Sequence, residues 1–194
     1  SSTSRGLGDV YKRQRMKAAV VAANEEVRAA RKKRGTDDDM GTTLVGAWIG
    51  PEGLRWVSVG DSLLLLIREE KMFLLNTLHQ YSTELEQMVE EGSISREEAL
   101  SHPSRHSLTS ALMGKEVPLV DLHDECFPLL PGDRLLVASD GVGPYLDSLG
   151  PAGMRYLSLL SAEELVRSVL DGIGRDGAPN QDNATLICVE ITGA

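Results

Sequence analysis

The sequence has no apolar run of transmembrane length, and no basic stretch leading into an apolar core near its start. Neither a membrane-spanning helix nor a secretory leader is expected. Cysteine is scarce: Cys126 and Cys188 are too few for a disulfide framework, and a cytoplasmic location is the simplest expectation. Several catalytic signatures are also missing. There is no P-loop, no HExxH and no G-x-S-x-G. Neither cysteine has an arginine six positions later, where Gly132 and Ala194 stand, which excludes a thiolate phosphatase loop. Gly141-Val142-Gly143 follows an apolar stretch as a dinucleotide loop would, but Leu146 holds the third glycine position. Asp140 would also repel a pyrophosphate there. His102 and His106 are separated by Pro103 and others, which argues against a helical metal pair; both read as surface or turn residues.

What is present is ordinary for one globular domain. The chain has 194 residues, 41% hydrophobic and 25% charged, enough to bury a core. Charge is uneven. Residues 1–34 hold ten Lys/Arg and three Asp/Glu, a net +7, while the other 160 hold ten and twenty-six, a net −16, giving −9 for the whole. An acidic body repels phosphate, so neither a nucleic-acid nor a membrane partner is expected. It suits a protein that collects divalent cations, but a merely solvated surface looks the same, and charge alone favours that surface.

The pattern divides into a leader, a helix and a body. Residues 1–14 lack a sustained apolar period and read as a non-native-looking leader, set aside from the fold. Residues 15–34 carry alanine and valine at helical spacing with basic residues in the last turn, and Gly35 stops the helix. Asp37-Asp38-Asp39 then makes a solvated loop. Strands are expected at 42–49, 54–59, 63–67, 72–75, 119–122, 134–139 and 185–191. Capping boxes Thr83-x-x-Glu86, Ser95-x-x-Glu98 and Ser161-x-x-Glu164 open helices, the last running to Leu170. Hairpin-linked strands interrupted by paired helices indicate an α+β class with mainly antiparallel pairing.

Three carboxylates stand at strand edges: Asp140 after RLLVAS, Asp182 before NATLICVEI, and Asp61 in SVGDS. A carboxylate at the rim of a core strand is rigidly held and partly stripped of water, so it needs a cation or hydrogen-bond donors. Hard oxygen donors on rigid strands suit Mg²⁺ or Mn²⁺. Taken singly, each Asp is better read as accepting backbone N–H bonds in its own turn.

The ordered set is far more specific than its members. GTTLVGAWI at 41–49, WVSVGDS at 56–62, EEGSISREEALSHPSRHSLTSAL at 90–112, LLPGDRLLVASDGV at 129–142 and QDNAT at 181–185 together resemble the metal-dependent protein serine/threonine phosphatases, the PPM or type 2C family, in its bacterial branch. The resemblance extends from Met16 to Val189. It implies a β-sandwich of two mostly antiparallel sheets flanked by helices, two or more Mg²⁺ or Mn²⁺ ions, and hydrolysis of phosphoserine or phosphothreonine in a phosphorylated protein by a metal-activated water. It also implies that Asp140 and Asp182 are ligands of the metal centre and that Asp61 serves an additional, weaker metal. No protein nucleophile is required.

The departures are as informative as the matches. The family's Arg followed by Asn-Glu-Asp, and its Asp-Gly-Met/His-Gly-Gly loop, are not in the sequence. NTLHQYS at 76–82 stands where Asp-His-Ser is usual, so Leu78 replaces an Asp, and His79 reads as structural. Leu63 follows GDS where Arg is common, which leaves Asp61 one partner fewer. The expectation is therefore a partial phosphatase domain over 15–194, incomplete at its N-terminus and inactive alone. The alternative is a non-catalytic, pseudophosphatase-like binding module.

Overall fold

The computed structural model describes the backbone of residues 2–35 and 40–193 and the side chains of residues 10–35 and 40–193; Asp37-Asp38-Asp39 lies outside the described residues. The chain runs α1 (Ser2–Arg34), β1 (Leu44–Gly50), β2 (Gly53–Val59), β3 (Leu63–Arg68), β4 (Lys71–Leu74), α2 (Tyr81–Glu90), α3 (Arg96–Ser101), β5 (Asp121–Phe127) and β6 (Arg134–Ala138). A 3₁₀ turn at Asp140–Val142 then leads to α4 (Gly143–Ser148), α5 (Pro151–Leu159), α6 (Ala162–Asp176) and β7 (Leu186–Glu190). The strands form one three-stranded sheet in the order β1-β2-β5 and one four-stranded sheet in the order β4-β3-β6-β7. The expected α+β class is what forms. The residues group into two compact units: Ser1–Trp48, Arg55–Asp61 and Thr77–Cys126 in the first, and Ile49–Leu54, Ser62–Asn76 and Phe127–Ala194 in the second.

In the first unit, α1 lays an apolar stripe on its sheet. Met16, Val20, Ala23 and Val27 recur at helical spacing and pack with Val57, Val59 and Leu112, joined by Leu44, Val117 and Leu122. Each fully buried aliphatic side chain of this kind contributes about 1.5–3 kcal/mol. Asn24 then latches the helix in place. Its amide donates to Lys115 O at 2.6 Å, and its carbonyl accepts the Gly114 N–H at 2.8 Å. Gly114 can be nothing larger, since a Cβ would lie 2.6 Å from Arg28 Cα.

The helix does not begin at Arg15, as expected, but at Ser2, so residue 14 is no break in secondary structure. Arg13 pairs with Asp124 at 3.1 Å, and the Arg15 guanidinium sits 5.6 Å from the Tyr11 ring, a one-turn spacing that favours the helix locally.

Further differences have local causes. The expected Thr83 capping box does not form. Tyr81 N–H and Ser82 N–H are tied to Ser107 O and Arg105 O, so α2 starts at Tyr81 and the Thr83 hydroxyl donates to Leu78 O instead. Ser95 and Ser161 do form their boxes. The strand expected at 119–122 is displaced to Asp121–Phe127, because the Ser110 hydroxyl bridges both backbone groups of Leu119. Helices α4 and α5 were not expected at all; each carries a proline in its first turn, which is the signal that marks it.

The second unit is built on a continuous antiparallel register. Leu64 opposes Val137 and Leu66 opposes Leu135, while Leu136 opposes Cys188 and Ala138 opposes Leu186. Strand β3 is buried from Leu63 to Ile67, as its unbroken apolar run demands of a central strand. Helix α6 presents Leu165, Val169 and Ile173, all buried, and continues past Leu170 to Asp176, where Gly177 in the left-handed region closes it.

Candidate metal centre

An antiparallel pair places the exit of one strand beside the entry of its neighbour. Here β6 exits at Ala138, opposite Leu186 at the entry of β7, so the Asp140 and Asp182 loops lie against each other. Ser139 joins them: its N–H donates to Thr185 O at 3.0 Å, while its hydroxyl donates to Asn183 O and accepts the Thr185 N–H, both at 3.0 Å. Gln181 closes the opposite side, its amide donating to Gly141 O and to Asp182 O at 2.8 Å each. Each carboxylate takes the backbone N–H of its own successor, Asp140 from Gly141 at 2.9 Å and Asp182 from Asn183 at 2.7 Å. Both aspartates are exposed to solvent.

Gly141 is what permits this approach. A Cβ there would sit 2.7 Å from Asn183 O and 3.0 Å from Asp182 O, and backbone oxygens cannot swing aside. Gly141→Ala is therefore expected to force the two loops apart at a cost of about 1–3 kcal/mol. Equilibrium urea denaturation measures it, and an unchanged midpoint would mean that the loops separate freely.

Asp61 belongs to the first unit, whereas Asp140 and Asp182 belong to the second. It is 7% exposed and follows Gly60, whose φ of +102° few side chains tolerate. Gly60 is clamped twice by His79: its N–H donates to Nδ1 at 3.0 Å, and its carbonyl accepts the His79 N–H at 2.9 Å. Burial pushes the His79 pKa down, against the opposing charge of Asp121. Its accepting Nδ1 assigns the ring proton to Nε2, so His79 is a structural residue here. Gln80, which sequence reasoning passed over, donates from Nε2 to Asp61 Oδ2 at 2.9 Å. Ser139 and Gln181 were also missed, although each immediately precedes one of the expected ligands. Cys188 offers no reactive thiolate, since burial pushes its thiol up to about 11.

The donor chemistry at the β6–β7 edge fits a divalent cation in part. Two exposed carboxylates on apposed, glycine-relaxed loops can hold one hard cation that keeps several waters. They do not complete a two-metal centre, because among the described residues no group of three or more His, Cys, Asp or Glu side chains could hold an ion.

No protein-family model matches the sequence. The chain is 30% identical to the serine/threonine protein phosphatase PstP of Mycobacterium tuberculosis over 179 residues, 91% of this chain and 32% of that protein. It is 36% identical to the serine/threonine phosphatase stp of Listeria innocua over 103 residues, 53% of this chain and 39% of that one. Among solved structures, the crystal structure of Mycobacterium tuberculosis PstP superposes with a TM-score of 0.70 at 28% identity, covering 91% of this chain and 71% of that chain. The PstP catalytic domain solved with two manganese ions matches with a TM-score of 0.68 at 25% identity, covering 91% and 70%. These likenesses support placing the chain with the bacterial PPM, or type 2C, serine/threonine protein phosphatases. It spans about a third of the length of its mycobacterial relative.

Proposed function

We propose that this chain carries part of the metal centre of a cytoplasmic phosphoprotein phosphatase, with Asp140 and Asp182 as Mg²⁺ or Mn²⁺ ligands and Asp61 serving a weaker, additional cation. The observation that carries the reading is the backbone docking of the two acid loops through Ser139, Gln181 and Gly141. A bound divalent cation supplies charge neutralisation for a phosphoryl group and a more acidic water. The residues supply position. Ser139 and Gln181 lock both loops, and the successor N–H groups orient one oxygen of each carboxylate. The substrate is phosphoserine or phosphothreonine in a protein, as the names of the relatives suggest.

Because no third acid groups with Asp140 and Asp182 among the described residues, the 194 residues alone are expected to hydrolyse no phosphoester. Joined to a segment bearing the Asn-Glu-Asp and Asp-Gly-x-Gly-Gly motifs, they support Mn²⁺-dependent cleavage of an aryl phosphate. The binding-module reading, favoured by the absence of a third ligand among the described residues, requires that no such activity appear. In the 194-residue chain itself, Mn²⁺ titration followed by electron paramagnetic resonance is expected to show weak binding. Asp140→Asn and Asp182→Asn should each lower it about tenfold. Equal binding by both variants and the unaltered chain would remove the two aspartates from the site.

A further inference from the structure

We infer that the cleft between α1 and the 115–122 segment binds a small amphiphile, an apolar body carrying one anionic head group. The cleft holds about 660 Å³ and is lined from the first unit alone. That volume falls within the range of about 300–1,000 Å³ usual for small-molecule sites. Val20, Val117 and Leu122 form its floor, packed into or against the core beneath α1. Val21 and Val120 stand on its rim at 63% and 42% exposure. Covering these apolar groups removes them from water, which favours a ligand with an apolar body.

Polar contacts close the cleft at both ends. At one, Asn24 donates to Lys115 O at 2.6 Å and accepts the Gly114 N–H at 2.8 Å; at the other, Arg13 pairs with Asp124 at 3.1 Å. The helix between Arg13 and Asn24 is about 16 Å long, the length of a small molecule, and a peptide running along the groove would meet both closures. The charge left over is basic. Arg13 is matched by Asp124, and Glu25 by Arg28 at 3.2 Å. Lys17 and Lys115 line the cleft, are exposed, and enter no ion pair among the described residues. In the lining, Glu116 alone opposes them. Two ammonium groups against one carboxylate make a local positive excess in a body that is otherwise acidic, and this selects an anion.

The test is fluorescence titration of the 194-residue chain with anilinonaphthalene sulfonate, an apolar ring system bearing one anionic group, with circular dichroism reporting the fold. Saturable binding of one dye per chain is expected. Lys17→Gln combined with Lys115→Gln should weaken it about fivefold, the worth of two exposed charge pairs, and leave the uncharged phenylnaphthylamine bound as before. Lys71→Glu, which makes the same change in net charge in the second unit, should leave both dyes unaffected. Val120→Asp should weaken both dyes about tenfold or more, since it sets a charge against their rings. No saturable binding, or binding that a folded Val120→Asp leaves intact, overturns the site. Equal losses of the two dyes in the lysine double variant, or a fivefold loss in Lys71→Glu, overturn the selection of an anion by the cleft. If sedimentation equilibrium shows the unaltered chain as a dimer and Val120→Asp as a monomer, a second copy covers the cleft and the proposal fails. Should Val120→Asp not fold, Val21→Asp on α1 decides by the same comparison.

Discussion

Asp133→Ala is expected to destabilise the protein by about 3–5 kcal/mol, the cost of stranding one member of a buried ion pair. Asp133 is 2% exposed at the entry of β6 and faces Arg68 at the end of β3. The pair is bidentate, with Arg68 Nε on Oδ1 at 2.8 Å and Nη2 on Oδ2 at 2.6 Å, and Leu130 N–H adds a third bond at 2.7 Å. Arg68 keeps 24% side-chain exposure and the Pro128 carbonyl, so the loss should fall toward the lower end.

The same pair has a signature in acid. Burial raises the Asp133 pKa, but the Arg68 hydrogen bonds, the Leu130 N–H and the Arg68 charge outweigh it and hold the carboxyl below its ordinary value. A depressed carboxylate contributes stability that is complete above its unfolded pKa of about 4 and is lost as pH falls through the folded value. Denaturation midpoints measured from pH 7 to pH 2 should therefore fall less steeply in Asp133→Asn than in the unaltered chain. Parallel acid limbs would mean that the pair contributes nothing.

Gly60→Ala is expected to cost about 3 kcal/mol or more, combining backbone strain with overpacking. At φ +102° a side chain is strained by itself, and a Cβ would lie 2.4 Å from Thr43 Cγ2 and 2.7 Å from Thr43 Cβ. Thr43 is β-branched and borders β1, so it cannot turn away easily. The melting temperature should drop by about 6–12 °C for a chain of this size. A drop under about 2 °C would show that the Gly60 turn relaxes without strain.

How much of this was legible beforehand depends on the range of the interaction. The Ser95 and Ser161 boxes were readable because a capping box is closed within four residues. The Thr83 box had the same letters and failed, since the Tyr81 and Ser82 N–H groups just before it are claimed by Ser107 and Arg105, more than twenty residues away. Leu63–Ile67 was readable as a buried strand from its apolar run, but its partners on either side were not. The Asp140 and Asp182 positions were visible in the motifs, whereas Ser139 and Gln181, which join the loops, were visible only as neighbours in the chain.

The order of motifs, the turn glycines and the acids at strand ends were determined by the sequence alone, because each depends on residues a few positions apart. The tertiary structure decided that β6 and β7 are antiparallel partners, that Gly141 brings the two acid loops into backbone contact, and that Gln80 reaches Asp61. Those are contacts across nineteen to fifty-six residues, and they exist only because burying the apolar strands brings their polar ends together.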